Sequence, residues 1–448
     1  MLSIRLFGIL AVSAALCAPP LTAGLKAGLG RVAITPDTQP VWLAGYAART
    51  TPATGMLHHV WAKALAIEDG DGKRAVIITA DVLGLTRELT TIICAQLAAK
   101  HGLTRQQIFF NASHTHSGPV VWPSLSVCCA FTPQDQQHVV TQNRMLAERM
   151  VMAVDHAVAT LAPAELSLGY GTAGFAINRR KRDIAPVDHT VPVLRVSAPD
   201  GTVRAILFNY ACHGTTLQGN NLLINGDYAG FAMLELERAY PGATALFVQG
   251  CAGDQGPEPR GTVAHAAAYG KTLAEAVERV LAQEMKSVAG ALRTAFTETR
   301  LSFRPVGLDV FRAELTGSNP FRQRRAERVL YAFNAGSPMT DIPYPVQALR
   351  MGETTVFIFL SGEIVVDYAR RIRRDYPHPD LLVAGYCNEV QSYIPSLRVL
   401  REGGYEADDS MIYYGLPGPF TDAVEASVLD AVATVCRQLG LTPTSRGE

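Results

Sequence analysis

Short apolar runs alternate with stretches of helical periodicity along most of this chain. Strand-like runs fall at Arg31 to Thr35, Ala75 to Ala80, Ile108 to Phe110, Val203 to Tyr210, Ala245 to Gln249, Thr355 to Leu360 and Leu381 to Gly385. Between them, Leu89 to Ala99, Gln136 to Thr160, Ala229 to Ala239, Ala266 to Ala282 and Ala423 to Leu439 place apolar residues at helical spacing. Thr132-Pro133 supplies an N-cap and first-turn pair for the second of these helices. Glu165 to Val196 alternates more strictly and reads as antiparallel strands. The pattern predicts an α/β fold: a mixed β-sheet core flanked by helices. Lys286 to Phe321 is the loosest span and is expected to hold an inserted hairpin. Strand-end polar residues occur on both sides of it, so residues 24–440 read as one catalytic domain, followed by a polar tail over 441–448.

The first residues depart from this alternation. Arg5 precedes an apolar stretch from Leu6 to Ala18, of signal-peptide length and too short to span a bilayer. Pro19-Pro20 would break a helix there, and Leu21-Thr22-Ala23 offers a cleavage site. Residues 1–23 therefore read as a signal peptide and the mature chain as secreted or periplasmic. Leu16 occupies the place where a lipoprotein signal at Cys17 wants a small residue, which argues against a lipid anchor.

Composition narrows the partners. Forty basic residues balance forty acidic ones, so no global field favours nucleic acid or an anionic membrane. The basic run Arg179-Arg180-Lys181-Arg182 is a local exception with the reading of a solvated loop. Of eight cysteines, losing Cys17 leaves an odd number, so at least one thiol stays unpaired within the chain. No C-x-x-C spacing suggests a thiolate zinc cluster, and one or two disulfides are expected in an oxidising compartment.

The chemistry concentrates where strands run into small, polar turns. Ile108 to Phe110 leads into Asn111-Ala112-Ser113-His114-Thr115-His116-Ser117-Gly118-Pro119. On strand alternation, His114 and His116 emerge on one face, where they can share a metal or divide metal binding from proton transfer. Four further runs end the same way, in Cys212-His213-Gly214-Thr215-Thr216, Gly250-Cys251-Ala252-Gly253-Asp254, Ser361-Gly362-Glu363, and Tyr386-Cys387-Asn388-Glu389 with Tyr393 beyond. In α/β sheets ligands collect beyond such strand ends. Each also has an ordinary structural reading: His213 as a core histidine, Glu363 as a helix-start charge, Tyr393 as packing. Asp227 reads as the cap of the helix that follows or a partner of a ligand histidine. Asp254 reads as a loop-orienting acid, and Asp81 as a strand-end acid without a role. His58 and His59, adjacent on extended chain, point apart and read as surface or packing.

Together these segments resemble the neutral/alkaline ceramidases, zinc amidohydrolases that cleave the N-acyl bond of ceramide. The resemblance rests on Asn111 to Pro119, Asn178-Arg179, Ala211 to Thr215, Ala252-Gly253-Asp254, Gly362-Glu363, Tyr393 and Gly404-Tyr405-Glu406, and runs from about Gly30 to Leu439. It implies that His114, His213, Glu363 and Tyr393 ligate Zn2+. It implies that His116 handles the proton, and that Arg179 and Tyr405 steady the charge developing on the carbonyl oxygen. The implied partner is a small-molecule or lipid substrate with an N-acyl group, with peripheral membrane contact possible and no nucleic acid. Rivals are a metal-dependent esterase or peptidase-like hydrolase on a more polar substrate, and a secreted binding protein on the same scaffold. The apolar loop Trp122 to Thr132 favours a lipid chain. Two departures stand out. The family's Gly-Asp-x-Ser-Pro-Asn motif reads Gly253-Asp254-Gln255-Gly256-Pro257-Glu258 here, with glycine at the serine position. The chain also stops before the immunoglobulin-like C-terminal domain that those ceramidases add.

Overall fold

Two β-sheets pack face to face in the computed structural model, which describes residues 24–181, 184–378 and 380–444. The expected leader over 1–23, Arg182, and the tail from 445 lie outside the described residues. The larger sheet has nine strands. In spatial order they are Leu292–Ser302, Asp341–Met351, Thr355–Ser361, Asp380–Cys387, Ile108–Ala112, Arg74–Ala80, Trp61–Glu68, Lys26–Ala33 and Ala162–Pro163. The smaller sheet orders Thr244–Gln249, Val203–Tyr210, Thr190–Ser197, Glu165–Thr172 and Lys286–Val288. Both are mixed: Thr355–Ser361 runs parallel to Asp380–Cys387, and Val203–Tyr210 parallel to Thr244–Gln249, among antiparallel neighbours.

The pleat explains the layering. In Trp61–Glu68, Leu65 and Ile67 face inward onto Leu194, Leu207 and Leu246 of the smaller sheet. Ala62, Ala64 and Ala66 face outward against helices Arg87–His101 and Pro133–Ala159. Helices Val366–Asp375 and Val424–Gln438 cover the other half of the large sheet, and Asp227–Ala239 and Val263–Leu281 cover the small one. The outcome is helices on both outer sides of a two-sheet core, where the sequence reading expected one sheet. A strand buried on both faces has no polar side, so nothing in its pattern announces which sheet it joins.

Three expectations change. Lys286 to Phe321 holds no inserted hairpin; it carries the chain from the edge of the small sheet to the edge of the large one. Helices Leu308–Leu315 and Pro320–Asn334 then pack together around Phe311, Ala326 and Val329. Trp61–Glu68 is a strand that the pattern passed over, because its alanines and Lys63 carry little β preference. All seven described cysteines are unpaired, so the expected disulfides do not form. Thr132 does cap its helix, accepting from the Asp135 amide with Pro133 in the first turn.

Candidate metal centre and active-site cleft

Strand ends from both sheets meet at Asn111. Its Nδ2 donates to the carbonyls of Gly385 at 2.7 Å and Gln249 at 3.3 Å, and its Oδ1 accepts from the Gln249 amide at 2.8 Å. One buried side-chain amide thus joins the ends of Ile108–Ala112, Thr244–Gln249 and Asp380–Cys387. The functional loops leave from this junction.

His114 and His116 converge by a turn and not by strand alternation. The strand stops at Ala112, and His114 adopts a left-handed φ of 58°. Its amide bonds the Val82 carbonyl at 3.0 Å, while the His116 amide bonds that of Gly214 at 3.1 Å. Gly214 is required there, since a Cβ would sit 2.5 Å from the His114 carbonyl oxygen. The loop carrying His213 is thereby pressed against the loop carrying the histidine pair.

All three imidazoles are oriented through Nδ1. His114 Nδ1 lies 2.6 Å from the Leu83 carbonyl, His213 Nδ1 2.8 Å from Ala252, and His116 Nδ1 3.1 Å from Gly45. A carbonyl only accepts, so each Nδ1 carries the hydrogen and each neutral Nε2 presents a bare lone pair. Those lone pairs point at one another. His114 Nε2 is 3.2 Å from His116 Nε2 and 3.2 Å from Glu363 Oε2, and His213 Nε2 is 2.9 Å from the same oxygen. Glu363 Oε2 is buried with no hydrogen-bond donor, while its other oxygen accepts from the Tyr414 hydroxyl. The Tyr393 hydroxyl completes the ring, 3.1 Å from His213 Nε2.

Charge reinforces the geometry. Burial, with His114 and His213 close by, lowers the His116 imidazole well below its ordinary value; burial and Arg179 take His213 down to about 4. With each Nδ1 bonded to a carbonyl, the cluster aims imidazole nitrogens and a buried carboxyl oxygen at one point, an arrangement short of a cation. A tetrahedral ion with ligands at about 2.0–2.1 Å sets its donors roughly 3.3 Å apart. The observed spacings and the orphaned Glu363 oxygen fit such an ion, and nitrogen and oxygen donors suit zinc. His114, His116 and His213 are all buried, with donor atoms within 4.8 Å of one another, and could hold a metal.

The structure therefore brings together His114, His213, Glu363 and Tyr393, with His116 Nε2 in the same cluster. Glu363 and Tyr393 sit on two short paired strands, Glu363–Ile364 and Tyr393–Ile394, and not at a helix start. Arg179 is no solvated loop residue. Its Nη2 donates to the Tyr393 hydroxyl at 2.9 Å and the Gly253 carbonyl at 2.7 Å, and its Nε to Glu406 at 2.9 Å. Arg180 likewise pairs with Glu406 and Glu402. Tyr405 is 44% exposed, its ring centroid 5.4 Å from that of Tyr393.

The secondary acids are structural. Asp254 accepts from Asn178 Nδ2 and the Val366 amide, both at 2.8 Å, and burial pushes it up to about 6. Asp227 makes no hydrogen bond to His114, His116 or His213 among the described residues. It has a left-handed φ and accepts from the Leu217 amide at 2.9 Å, clamping the loop after His213. Asp81 accepts from the Trp61 amide at 2.9 Å. Gly256 faces open room, its nearest neighbour for a Cβ being Thr215 Oγ1 at 3.9 Å. Sequence reasoning missed Tyr414, whose only signal is an unremarkable Tyr413-Tyr414 pair after Tyr405.

A cleft of about 440 Å³ opens onto the cluster, walled by His116, Glu363, Tyr393, Tyr405, Tyr46 and Arg260. A smaller pocket adjoins it through Gly45, Tyr46, Leu125 and Cys128, lined by Trp42, Val120 and Phe131 but also by Arg49.

Comparison with known proteins agrees with this architecture. Residues 25–300 match the family model described as neutral/alkaline non-lysosomal ceramidase, N-terminal. The chain is 26% identical to a neutral ceramidase of Mycobacterium tuberculosis, with 86% of this chain and 74% of that protein aligned. It is 23% identical to the neutral ceramidase of Pseudomonas aeruginosa, over 92% of this chain and 72% of that one. The crystal structure of the Pseudomonas aeruginosa enzyme superposes with a TM-score of 0.74 at 21% identity, covering 94% of this chain and 75% of that chain. A ceramidase complexed with C2 gives 0.75 at 19% identity, over 95% and 77%. These superpositions show a shared fold.

Proposed function

The chain belongs to the neutral/alkaline non-lysosomal ceramidase family, and from that premise we propose that it is an exported, zinc-dependent amidohydrolase that cleaves the N-acyl amide bond of ceramide or another N-acyl lipid. The observation that carries this reading is the convergence of bare imidazole nitrogens on the orphaned oxygen of Glu363. His114, His213, Glu363 and Tyr393 would hold the ion. When bound, zinc supplies a water acidified to near neutral pH and a Lewis acid for the acyl carbonyl.

The protein's own groups do the rest. His116 lines the open cleft and stays neutral at the working pH. Its bare Nε2 accepts the proton of the attacking water and returns it to the departing amine. Tyr405, on the same wall, donates to the oxygen on which charge develops. Arg179 works through Tyr393: its guanidinium holds the hydroxyl in place and offsets part of the burial that pushes Tyr393 well above its ordinary value. The aromatic and aliphatic side of the adjoining pocket, Trp42, Val120 and Phe131, accepts part of the acyl group. Glycine at position 256 leaves no hydroxyl for an acyl-serine, so water attacks directly. The apolar leader from Leu6 to Ala18 supports export.

Fluorescent ceramide and short N-acyl amides, assayed with wild type and His114→Ala, test the proposal. Turnover should fall by at least a hundredfold in the variant. Equal turnover by the two proteins would remove His114 from the catalytic machinery and the reading with it.

A further inference from the structure

The three imidazoles of the cluster do not have equally firm partners. Leu83 and Ala252, whose carbonyls fix His114 and His213, are buried, each three residues beyond a strand of the two-sheet core. Gly45, whose carbonyl fixes His116, lies in residues 34–54, a run without helix or strand. The bridge from Leu43 to Pro119 and the bond from the Ala44 amide to the Gly118 carbonyl tie this run to the histidine-pair loop only on the far side of Ser117. A separate anchor is needed at His116 itself.

Arg49 supplies it. Its Nη1 donates to the Ala44 carbonyl at 2.7 Å and to the His116 carbonyl at 2.6 Å, and its Nη2 reaches the Gln218 carbonyl at 3.4 Å. One guanidinium thus joins its own loop, the loop of the histidine pair and the loop after His213. The planar fork of donors suits this task better than an ammonium would. Burial takes the group down to about 10, so it is still a cation at neutral pH and its bonds to the carbonyls are charge-assisted. The Tyr46 ring lies 4.9 Å from Arg49 Cζ and 4.9 Å from the His116 imidazole, and its hydroxyl donates to the Leu217 carbonyl at 2.9 Å. Gly45, with a φ of 96°, approaches so closely that a Cβ there would fall 2.2 Å from His116 Nδ1.

We propose that Arg49 is a positioning residue for His116, holding its backbone directly and its ring through Gly45 and Tyr46, so that Nε2 keeps its aim into the cleft. The proposal rests on the reading of His116 as the proton-transfer group and adds what orients it. Arg49 acts through His116 and not on the reacting atoms.

The first test assays zinc-loaded full-length protein with fluorescent ceramide. A catalytic group displaced by about 1 Å costs up to about a hundredfold, so Arg49→Met should lower kcat by about ten- to a hundredfold at unchanged KM and zinc content. Arg49→Lys should recover part of kcat, and it carries the test if Arg49→Met does not fold. An unaltered kcat, or a change confined to KM, overturns the proposal. The second test needs no turnover. In zinc-free protein labelled with 15N in the histidine rings, the Nδ1–H signals of His114, His116 and His213 are assigned with single His→Gln variants. Arg49→Met should broaden the His116 signal through exchange with water and leave the other two sharp. A sharp His116 signal, or loss of all three, overturns the proposal. The two tests separate the claims. A selective loss at His116 in a protein that hydrolyses no amide would retain the positioning role and sink amide hydrolysis. Ceramide turnover indifferent to Arg49→Met would do the reverse.

Discussion

Glu363→Gln should make the metal-free protein more stable while abolishing its response to zinc. Without an ion, wild type buries a carboxylate whose Oε2 has no donor, 2.9 and 3.2 Å from two bare imidazole nitrogens. A glutamine amide at that place donates to either nitrogen, and the oxygen bonded by Tyr414 remains an acceptor. Relieving one such unsatisfied buried group is worth about 1–3 kcal/mol. Unfolding entropy near 2.1 cal/mol/K per residue, over about 420 described residues, gives roughly 0.9 kcal/mol/K. The variant's metal-free midpoint should therefore rise by about 1–3 °C. Wild type given zinc at a hundred times its Kd gains about 2.7 kcal/mol, or about 3 °C, and the variant gains little. Differential scanning calorimetry after chelation and dialysis reads both numbers, and elemental analysis reads bound zinc. A wild-type midpoint indifferent to zinc, together with a variant less stable than wild type, would refute the lone-pair argument.

Other consequences are open to measurement. Tyr405→Phe should lower kcat by about a hundredfold at unchanged zinc content, since one oxyanion donor is lost; an unaltered kcat would exclude that role. Gly214→Ala should cost about 1–3 kcal/mol and loosen metal binding, because its methyl would force the His114 carbonyl aside; retained zinc affinity would show that the two loops adjust independently. Burial pushes the Glu389 carboxyl up to about 7 against the pull of Arg87. Its protonated form favours the fold, so that contribution is full below about 4.5 and is lost as pH rises through about 7, about 3 kcal/mol in all. Glu389→Gln should remove this component from a series of thermal midpoints between pH 4.5 and 8. Curves of identical shape would show that the group titrates as it does in the unfolded chain.

Much of the fold could be read from hydrophobic spacing. Val203–Tyr210, Thr244–Gln249, Thr355–Ser361 and five helices match expected spans to within a few residues, while helix Pro320–Asn334 was not expected. The missed strands share a cause: the alanines and Lys63 of Trp61–Glu68, and Pro343 and Pro345 of Asp341–Met351, carry little β preference. The site was legible as chemistry and not as geometry. Polar turns after strands marked His114, His213 and Glu363, whereas Tyr414 and Tyr46 follow no such pattern and enter from distant parts of the chain.

The sequence by itself determined the element types, the family and the chemical inventory, because period, turn residues and donor atoms are local properties. The tertiary structure decided that two large sheets face each other across the core and that Asn111 ties three strand ends. It decided that Nδ1 bonds to three backbone carbonyls leave three Nε2 atoms aimed at one another, and that Arg179 serves Tyr393. Each of these is a relation between residues far apart in the chain. Such relations are set by burial and by the need to pair every buried polar group, and no local pattern contains them.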